Sequence, residues 1–413
     1  MKTIIIGAGP AGVTVAETLR QYDEKMEIIM ICREPFPPYA PPAMIEYFMT
    51  GEEAHFWRWK DIPKRLDLDY RPETRVSKVI PKEQMIRLVD GEILEYDNLV
   101  IATGSRLYTT ISGFEKTGIY NFKALSPAMK LVKEVREDRA KNALIIGAGF
   151  IGVEISLLLN HFGIEVTIVE MADRIMPGML DTETSEIALG LIQEHGINVQ
   201  LNTKAIAFHG GSRAEALELE SGEVMNADIF VAATGVKPIV GFLEGSGIEI
   251  NWGVPVDEYL RTNFPKIYAA GDVIETVDRI TGDRSVQPIF PNAVTQGRVV
   301  AFNLLGWNIP YEGADRMNSL KHLGLPIIAA GRAEGEELRF RRGSTLRKLY
   351  LHDNRINGFQ LAGDIKSAGI YRTLMNKRVD VSSMKDLLLE PGFGMGYIPD
   401  QNLYWRPGII PVP

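Results

Sequence analysis

One short glycine pattern occurs twice in this chain and constrains its fold more than any other feature. The segments KTIIIGAGPAGVTVAETLR at residues 2–20 and NALIIGAGFIGVEISLLLN at residues 142–160 each place G-x-G-x-x-G between a β-branched run and an amphipathic run. In a strand–turn–helix of this kind the glycines permit the tight turn, the approach of a pyrophosphate and the close packing of helix on strand. The helix amino terminus then offers N–H groups to the phosphates. Two copies predict two dinucleotide-binding βαβ units.

Each unit also has a second strand that ends near a carboxylate. VTIVE at residues 166–170 ends in Glu170, at a distance from the glycines where a carboxylate binds both hydroxyls of an adenosine ribose. A 2′-phosphate would be repelled there and no arginine follows immediately, so the sequence predicts NADH over NADPH. In the first unit EIIMICRE at residues 27–34 offers Glu34, with Arg33 as its neighbour. The alternative for Glu34 is a solvated charge at a strand end.

Length and composition restrict the class of protein. A chain of 413 residues is too long for one core and suggests two to three domains. No apolar run reaches the length that spans a bilayer, and the apolar first residues fit a strand–turn–helix better than a signal peptide. A single cysteine, Cys32, excludes an internal disulfide and a thiolate metal cluster built by this chain alone. We therefore expect a cytoplasmic protein with no metal site and no membrane insertion.

Charge is unevenly distributed along the sequence. The net charge is −8, yet residues 311–413 contain 15 basic and 11 acidic residues, a net charge of +4, which leaves −12 for the rest. This balance argues against nucleic-acid binding. Five cations cluster in the basic part, and they form either a solvated face or a docking site for an acidic partner: Arg339, Arg341, Arg342, Arg347 and Lys348.

Three further segments follow in a fixed order. YDNLVIATGS at 96–105 and ADIFVAATGVKP at 227–238 each end an apolar strand in A-T-G, and KIYAAGDVIE at 266–275 delivers Gly271 and Asp272. Together with the two glycine turns, this set resembles the pyridine nucleotide-disulfide oxidoreductase family, flavoenzymes of glutathione-reductase-like architecture, over about the first 310 residues. The resemblance implies an α/β fold with two Rossmann-like domains, one for FAD and one for NAD, and a small α+β carboxy-terminal domain.

The same resemblance implies domain boundaries and site residues. The FAD-binding domain would comprise residues 1–110 and 239–310, the NAD-binding domain 111–238 and the carboxy-terminal domain 311–413. Asp272 resembles the aspartate that holds the ribityl chain of FAD, and PNAVTQGRVVAFNLLG at 291–306 the helix whose amino terminus faces the flavin. The predicted cofactor-binding residues are Gly7, Gly9, Pro10, Ala11, Gly12, Arg33, Glu34, Pro42, Val76, Ala102, Thr103, Gly104, Gly147, Gly149, Phe150, Ile151, Gly152, Glu170, Gly235, Gly271, Asp272, Pro291 and Asn292.

The segment PPYAPPAMIEYFMTG at 37–51 lies where the branches of this family differ. Aligned from Gly51, the redox cysteine of NADH oxidases and coenzyme A disulfide reductases falls on Ala43, and the lysine of ferredoxin and rubredoxin reductases falls on Glu46. The proline-rich frame is retained and the reactive side chains are absent. Cys32 ends an apolar strand, where burial favours an inert thiol over a redox role. The flavin is therefore the redox centre that we predict.

Two carboxylates remain as candidate catalytic residues. Glu46 lies on the segment that faces the flavin in the family, and Glu154, in GFIGVE, matches a glutamate near the nicotinamide. The alternative for Glu154 is a charge on the surface of a helix.

The last part of the chain extends the resemblance. LRKLYLHDNRINGFQLAG predicts a hairpin and IKSAGIYRTLMNKR a helix, as in the small carboxy-terminal domain of rubredoxin reductases and of the NADH-oxidising part of nitrite reductases. Three functions stay open. The first is an FAD-dependent NADH:acceptor oxidoreductase, with hydride passing to flavin N5 and electrons to a small iron–sulfur or rubredoxin-like carrier. The others are an NADH oxidase or diaphorase, and a flavin-bearing NADH sensor or assembly subunit. A homodimer is also left open.

Overall fold

The computed structural model describes residues 1–137 and 140–398, and the chain divides into two compact units. Unit 1 comprises Met1–Tyr108, Lys123–Ser126 and Gly235–Ala314. Unit 2 comprises Thr109–Phe122, Pro127–Thr234 and the residues from Asp315 onward. The division of the chain into three domains at the boundaries given above stays a prediction.

The helices of the described residues are short, and they are numbered here in chain order. The α-helices are α1 (Pro10–Tyr22), α2 (Met44–Thr50), α3 (Ile62–Arg65), α4 (Leu125–Arg136), α5 (Phe150–His161), α6 (Thr182–Glu194), α7 (Phe290–Leu304) and α8 (Ala368–Asn376). Single 3₁₀ turns occur at Pro41–Ala43, Pro81–Glu83, Gly241–Leu243, Ser382–Leu387 and Met395–Tyr397. In the described part of the chain, no helix combines the length and the apolar composition that crossing a membrane requires.

Unit 1 is built on a parallel five-stranded sheet. Its strands, in spatial order, are Ile267–Ala269, Asn98–Ile101, Lys2–Ile6, Glu27–Ile31 and Asp69–Arg71. Ile4, Ile5 and Val100 are fully buried, which explains why these strands are continuous apolar runs rather than alternating ones. Helices α1 and α7 pack together, and a Cβ atom at Gly297 would lie 2.5 Å from the carbonyl oxygen of Ala11. Glycine is required at this crossing.

Unit 2 repeats this arrangement. Its parallel sheet has the order Asn198–Gln200, Glu165–Val169, Asn142–Ile146, Ile229–Ala232 and Ile119–Tyr120. The predicted α/β class with two Rossmann-like sheets is confirmed. Smaller sheets accompany the two large ones: Val76–Ile80 with Met85–Leu88 and Ile93–Glu95, Ser105–Leu107 with Val236–Pro238, Val254–Pro255 with Ile274–Val277 and Arg284–Ser285, and Ala205–His209 with Ala216–Leu219 and Val224–Asn226.

The last described part of unit 2 is an antiparallel five-stranded sheet with α8. The strand order is Met317–Leu320, Ile327–Gly331, Arg355–Ala362, Thr345–His352 and Glu336–Arg342. The predicted hairpin and helix are confirmed. Asp353 and Asn354 have positive φ angles of 48° and 55°, as the two central residues of a tight hairpin turn require. Residues 399–413 lie outside the described residues.

Candidate functional site

The first glycine turn of unit 1 leaves no space for a side chain at two of its glycines. Gly7 has a φ of +119°, and its N–H donates to the carbonyl oxygen of Ile31 at 2.8 Å. A Cβ at Gly7 would lie 2.1 Å from the carbonyl oxygen of Ala102, and one at Gly12 would lie 2.0 Å from that of Gly7. These two glycines are therefore required for the strand, turn and helix to pack.

The middle glycine of the same turn is different. Gly9 has an ordinary φ of −79°, and no atom lies within 4 Å of the position its Cβ would take. Helix α1 starts here without a side-chain cap, with Pro10 in its first turn and Ala11 and Gly12 behind it. An open space over an uncapped helix amino terminus fits a pyrophosphate, which accepts hydrogen bonds from such N–H groups.

Unit 2 contains a second glycine turn with nearly the same geometry. Gly147 has a φ of +106°, its N–H donates to Val169 at 2.8 Å, and a Cβ at Gly152 would lie 2.0 Å from the oxygen of Gly147. Gly149 faces open space, and α5 starts at Phe150 and the exposed Ile151 without a side-chain cap. By contrast, α6 of the same unit is capped by Asp181. Helices α7 and α8 also begin without a side-chain cap. What the two glycine turns share is an uncapped start combined with open space above Gly9 and Gly149.

Glu170 is held directly against the second glycine turn. Its side chain is nearly buried, with 8% of the residue exposed. Oε2 accepts a hydrogen bond from the N–H of Ala148 at 2.7 Å, and Oε1 accepts one from Ala172 at 2.8 Å. Each oxygen keeps a second lone pair for a hydroxyl donor. The carboxylate is thus oriented beside the phosphate cradle, as binding of a ribose requires.

The corresponding carboxylate of unit 1, Glu34, is already engaged within its unit. Oε1 accepts from the N–H and Oγ of Ser126 at 2.9 and 2.8 Å, and Oε2 accepts from the hydroxyl of Tyr39 at 2.6 Å. Burial and the Glu34 charge raise the pKa of Tyr39, so its phenol remains a donor. Arg33 beside it is exposed. A ribose would have to share the oxygens of Glu34, and its assignment to the ribose stays a prediction.

Asp272 lies in a polar cluster that the sequence did not reveal. Its Oδ2 accepts from Ser105 Oγ at 2.9 Å and pairs with Lys123 Nζ at 2.6 Å. The preceding Gly271 donates its N–H to Gln296 of α7 at 2.8 Å. Lys123 and Ser105 are more than a hundred residues from Asp272. Ser105 ends the quoted A-T-G segment, whereas no local pattern marks Lys123.

The A-T-G segment of unit 1 lies at the edge of the same sheet. Ala102 donates to Ile6 at 2.9 Å, and Thr103 donates through its hydroxyl to the carbonyl oxygen of Ile239 at 2.9 Å. Gly104 accepts from Ile239 at 3.0 Å. Gly235, from the second A-T-G, has a φ of +127°. The predicted turn residues of unit 1 thus gather at the carboxyl edge of its parallel sheet.

The segment expected to face the flavin contains no thiol or amine. Pro42 lies in the 3₁₀ turn Pro41–Ala43, and Glu46 is exposed in the first turn of α2. Val76 opens a strand of the small sheet. Trp59 is buried and stacks on Phe290, the first residue of α7, with ring centres 6.0 Å apart.

Pro291 and Asn292 follow Phe290 in the first turn of α7. Pro291 is exposed and Asn292 is buried.

Glu154, which we predict to lie near the nicotinamide, contacts His322, 168 positions later in the sequence of unit 2. Its Oε2 lies 2.8 Å from Nδ1 of His322, and 17% of the glutamate side chain and 30% of the histidine side chain are exposed. Glu154 is therefore more than a charge on a helix surface. No motif in the sequence points to His322.

The five cations of residues 339–348 divide into a buried pair and an exposed group. Arg347 and Lys348 are buried, with 2% and 4% exposed, because Arg347 pairs with Asp364 and Lys348 with Asp181. Arg339 and Arg341 bind Glu183 at 2.7 and 2.8 Å. Arg342 is exposed. Both alternatives were wrong for Arg347 and Lys348, which are buried in ion pairs. Arg339, Arg341 and Arg342 are exposed, so a solvated face stays the prediction for these three.

We expect this ion-pair network to make stability sensitive to acid. Burial raises the pKa of Asp181, but hydrogen bonds from Lys348 and Tyr350 outweigh it and hold that pKa below its ordinary value. The hydrogen bond from Arg339 holds the pKa of Glu183 well below its usual range. Unfolded carboxylates bind protons near pH 4. The stabilisation is therefore complete at neutral pH and declines as the pH falls below about 4.

Urea unfolding between neutral and acidic pH measures this effect. Asp181→Asn should be less stable at neutral pH and lose less stability on acidification than the unmutated protein. Glu186→Gln, which alters an exposed carboxylate of the same helix, is the matched control and should change neither value. An unchanged pH slope in Asp181→Asn would show that the network does not contribute to acid sensitivity.

Comparison with known proteins identifies the family. The sequence profile of the pyridine nucleotide-disulphide oxidoreductases matches residues 1–297. The chain belongs to this family. Its two glycine turns, its A-T-G segments and Asp272 all lie within the matched residues, so the resemblance seen in the sequence is confirmed.

Three relatives show the range of activities among similar chains. An NADH oxidase of Methanocaldococcus jannaschii is 33% identical over 317 residues, which cover 74% of this chain and 70% of the relative. The epsilon subunit of an NADH-dependent phenylglyoxylate dehydrogenase of Aromatoleum evansii is 26% identical and covers 96% of both chains. A rubredoxin-NAD(+) reductase of Pseudomonas putida is 29% identical over 80% of this chain and 87% of its own.

A solved structure supports the fold over nearly the whole chain. The NAD-dependent persulfide reductase of A. fulgidus superposes with a TM-score of 0.86, at 26% identity, over 97% of this chain and 81% of its own. The predictions of an oxidoreductase, of this family and of a branch near rubredoxin reductases are confirmed. The binding of FAD and NAD(H) follows from membership of the family.

Proposed function

We propose that this protein is an FAD-dependent NADH:acceptor oxidoreductase in which unit 1 binds FAD and unit 2 binds NADH. The observation that supports this most directly is the pair of uncapped helix amino termini, one in each unit, each opening at a glycine with free space above it. In unit 2 the carboxylate of Glu170 also accepts the N–H of Ala148 in the turn itself. The carboxylates of the two units differ, because Glu34 is bound by Ser126 and Tyr39 whereas each oxygen of Glu170 keeps a lone pair for a ribose hydroxyl. Glu170 would therefore favour NADH over NADPH.

The residues of each unit then have distinct tasks. Bound FAD would supply the acceptance of a hydride from NADH and the release of electrons to an acceptor. Asp272, bound by Ser105 and Lys123, would accept hydroxyl groups of the ribityl chain. Glu170 holds the adenosine ribose of NADH, and Glu154 orients its nicotinamide half. Glu46 lies on the segment proposed to face the flavin.

The acceptor is proposed to be a small iron–sulfur or rubredoxin-like protein. The relationship to a rubredoxin-NAD(+) reductase supports this choice. The second candidate is an NADH oxidase, which the similarity to the Methanocaldococcus jannaschii protein favours. Near full-length similarity to a dehydrogenase subunit supports a third candidate, an NADH-oxidising subunit of a larger assembly. We place the protein in the cytoplasm because a single cysteine cannot provide the disulfide framework that is typical of secreted proteins.

Stopped-flow spectroscopy of the purified flavoprotein tests the proposal and separates the candidates. Under anaerobic conditions and without an acceptor, NADH should reduce the flavin and bleach its absorbance. Reoxidation is then followed with rubredoxin, ferredoxin and oxygen in parallel. Faster reoxidation by a carrier protein than by oxygen supports the leading candidate, and the reverse order supports the oxidase. A flavin that NADH does not bleach would refute all three.

Cys32→Ser is expected to leave NADH-dependent dye reduction almost unchanged. Burial raises the pKa of the Cys32 thiol, which keeps it protonated and a poor nucleophile, and Ala43 occupies the position of the family's redox cysteine. Turnover with ferricyanide and the flavin content are the measurements. If most of the turnover disappears while the flavin content stays the same, a mechanism without a thiol is wrong.

A further inference from the structure

The pairing of Glu154 with His322 connects the last part of unit 2 to its nucleotide-binding helix. The two residues are 168 positions apart in sequence, and Nδ1 of His322 lies 2.8 Å from Oε2 of Glu154. Both side chains are only partly exposed. Helix α5 and the strand Met317–Leu320 contact each other, so the pair lies where these elements meet.

The backbone around His322 is fixed on both sides. Leu320 before it and Leu323 after it are buried, with 0% and 1% exposed. Gly324 then turns the chain with a φ of +77°, and the strand Ile327–Gly331 follows. His322 thus lies in the short connection of residues 321–326, which buried leucines anchor on either side of it.

Glu154 lies on α5 one helical turn beyond Phe150, the first residue after the phosphate cradle. Glu170, at the other edge of the cradle, bonds to the glycine turn itself and takes the adenosine ribose in the proposed function. With the adenosine ribose at Glu170, the nicotinamide half of the coenzyme would lie on the side of α5 that carries Glu154. This step rests on the proposed function.

We propose that His322 is a positioning residue for the nicotinamide half of NADH and that it acts through Glu154. A glutamate side chain has three rotatable bonds, and an N–H donated by a fixed imidazole restricts it to one orientation. A fixed negative charge beside the nicotinamide stabilises the positive charge that the ring gains as hydride leaves, and it does so without reorganisation.

His322→Ala should lower kcat/KM for NADH about tenfold, the size expected for the loss of a hydrogen bond to a charged group. Inhibition by ADP-ribose, which has the adenosine and both phosphates but no nicotinamide, should be unchanged. His322→Asn should recover most of the activity, because the amide of asparagine donates from near the position of Nδ1. These three results together support the proposal.

His209→Ala is the matched control, because it removes another histidine–glutamate contact of unit 2, His209 to Glu218 at 2.6 Å in the small antiparallel sheet. It should leave NADH turnover unchanged. Equal losses for NADH and ADP-ribose in His322→Ala would reveal a purely structural role and overturn the proposal. So would unaltered kinetics, or an asparagine variant no better than the alanine variant. Failure of the proposed function is distinguishable, since the unmutated flavin would then not be reduced by NADH.

Discussion

Replacing Gly149 with valine is expected to leave the fold and the bound FAD intact while nearly abolishing reduction by NADH. Gly149 has φ and ψ angles of −73° and 177°, which any residue adopts, and no atom lies within 4 Å of its Cβ position. The new side chain would fill the space above α5 that a pyrophosphate needs. Losing two hydrogen bonds to a charged group should lower kcat/KM by on the order of 100-fold or more.

Two further glycine variants control this experiment. Gly9→Val should produce the complementary defect, a folded protein that does not retain FAD, because Gly9 also faces open space. Gly152→Ala should damage the fold itself, since its Cβ would lie 2.0 Å from the oxygen of Gly147. Circular dichroism, flavin absorbance and NADH-dependent dye reduction distinguish these results. Normal turnover in Gly149→Val, or loss of its flavin, would contradict the assignment of NADH to unit 2.

Glu170→Ala is expected to remove most of the preference for NADH over NADPH. In the unmutated protein the carboxylate accepts two backbone N–H groups and can also accept ribose hydroxyls, whereas a 2′-phosphate would meet its negative charge. Loss of the paired hydrogen bonds costs about 1–3 kcal/mol, so kcat/KM for NADH should fall by roughly tenfold or more. Adding Met171→Arg, at a site with 71% exposure, should then favour NADPH.

Steady-state kinetics with both coenzymes measure this preference. Glu165→Ala, which alters an exposed carboxylate at the start of the same strand, is the control and should preserve the ratio of the two kcat/KM values. Equal use of NADH and NADPH by the unmutated protein would refute the role of Glu170. A variant that loses activity with both coenzymes to the same extent would indicate a structural effect on the glycine turn.

The parts of the fold that follow local rules were predictable from the sequence. Gly7 and Gly12 are required by contacts within a strand–turn–helix, so their spacing alone predicts the turn and its neighbouring elements. The hairpin at Asp353 and Asn354 was equally accessible, because these residue types tolerate positive φ and separate two alternating runs. The geometry of Glu170 follows from the same short unit.

The parts that depend on distant partners were not predictable. Lys348 and Arg339 read as free cations, but their acidic partners, Asp181 and Glu183, lie more than 150 residues earlier. Lys123 and His322 sit in segments without any recognisable motif, and only the folded chain brings them to Asp272 and Glu154. A single sequence shows the charged and polar residues that form such pairs, but it does not show which residue contacts which.

The chain crosses between its two units five times, at residues 108, 122, 126, 234 and 314. No contiguous fragment therefore consists of one unit alone, and one proteolytic cut cannot separate the two units. A fragment ending before Ile267 would lack an edge strand of the first parallel sheet together with Asp272 and helix α7. During synthesis, these elements can join unit 1 only after most of the polypeptide has been made. If unit 1 binds FAD as proposed, we expect the cofactor to bind late in the maturation of the protein.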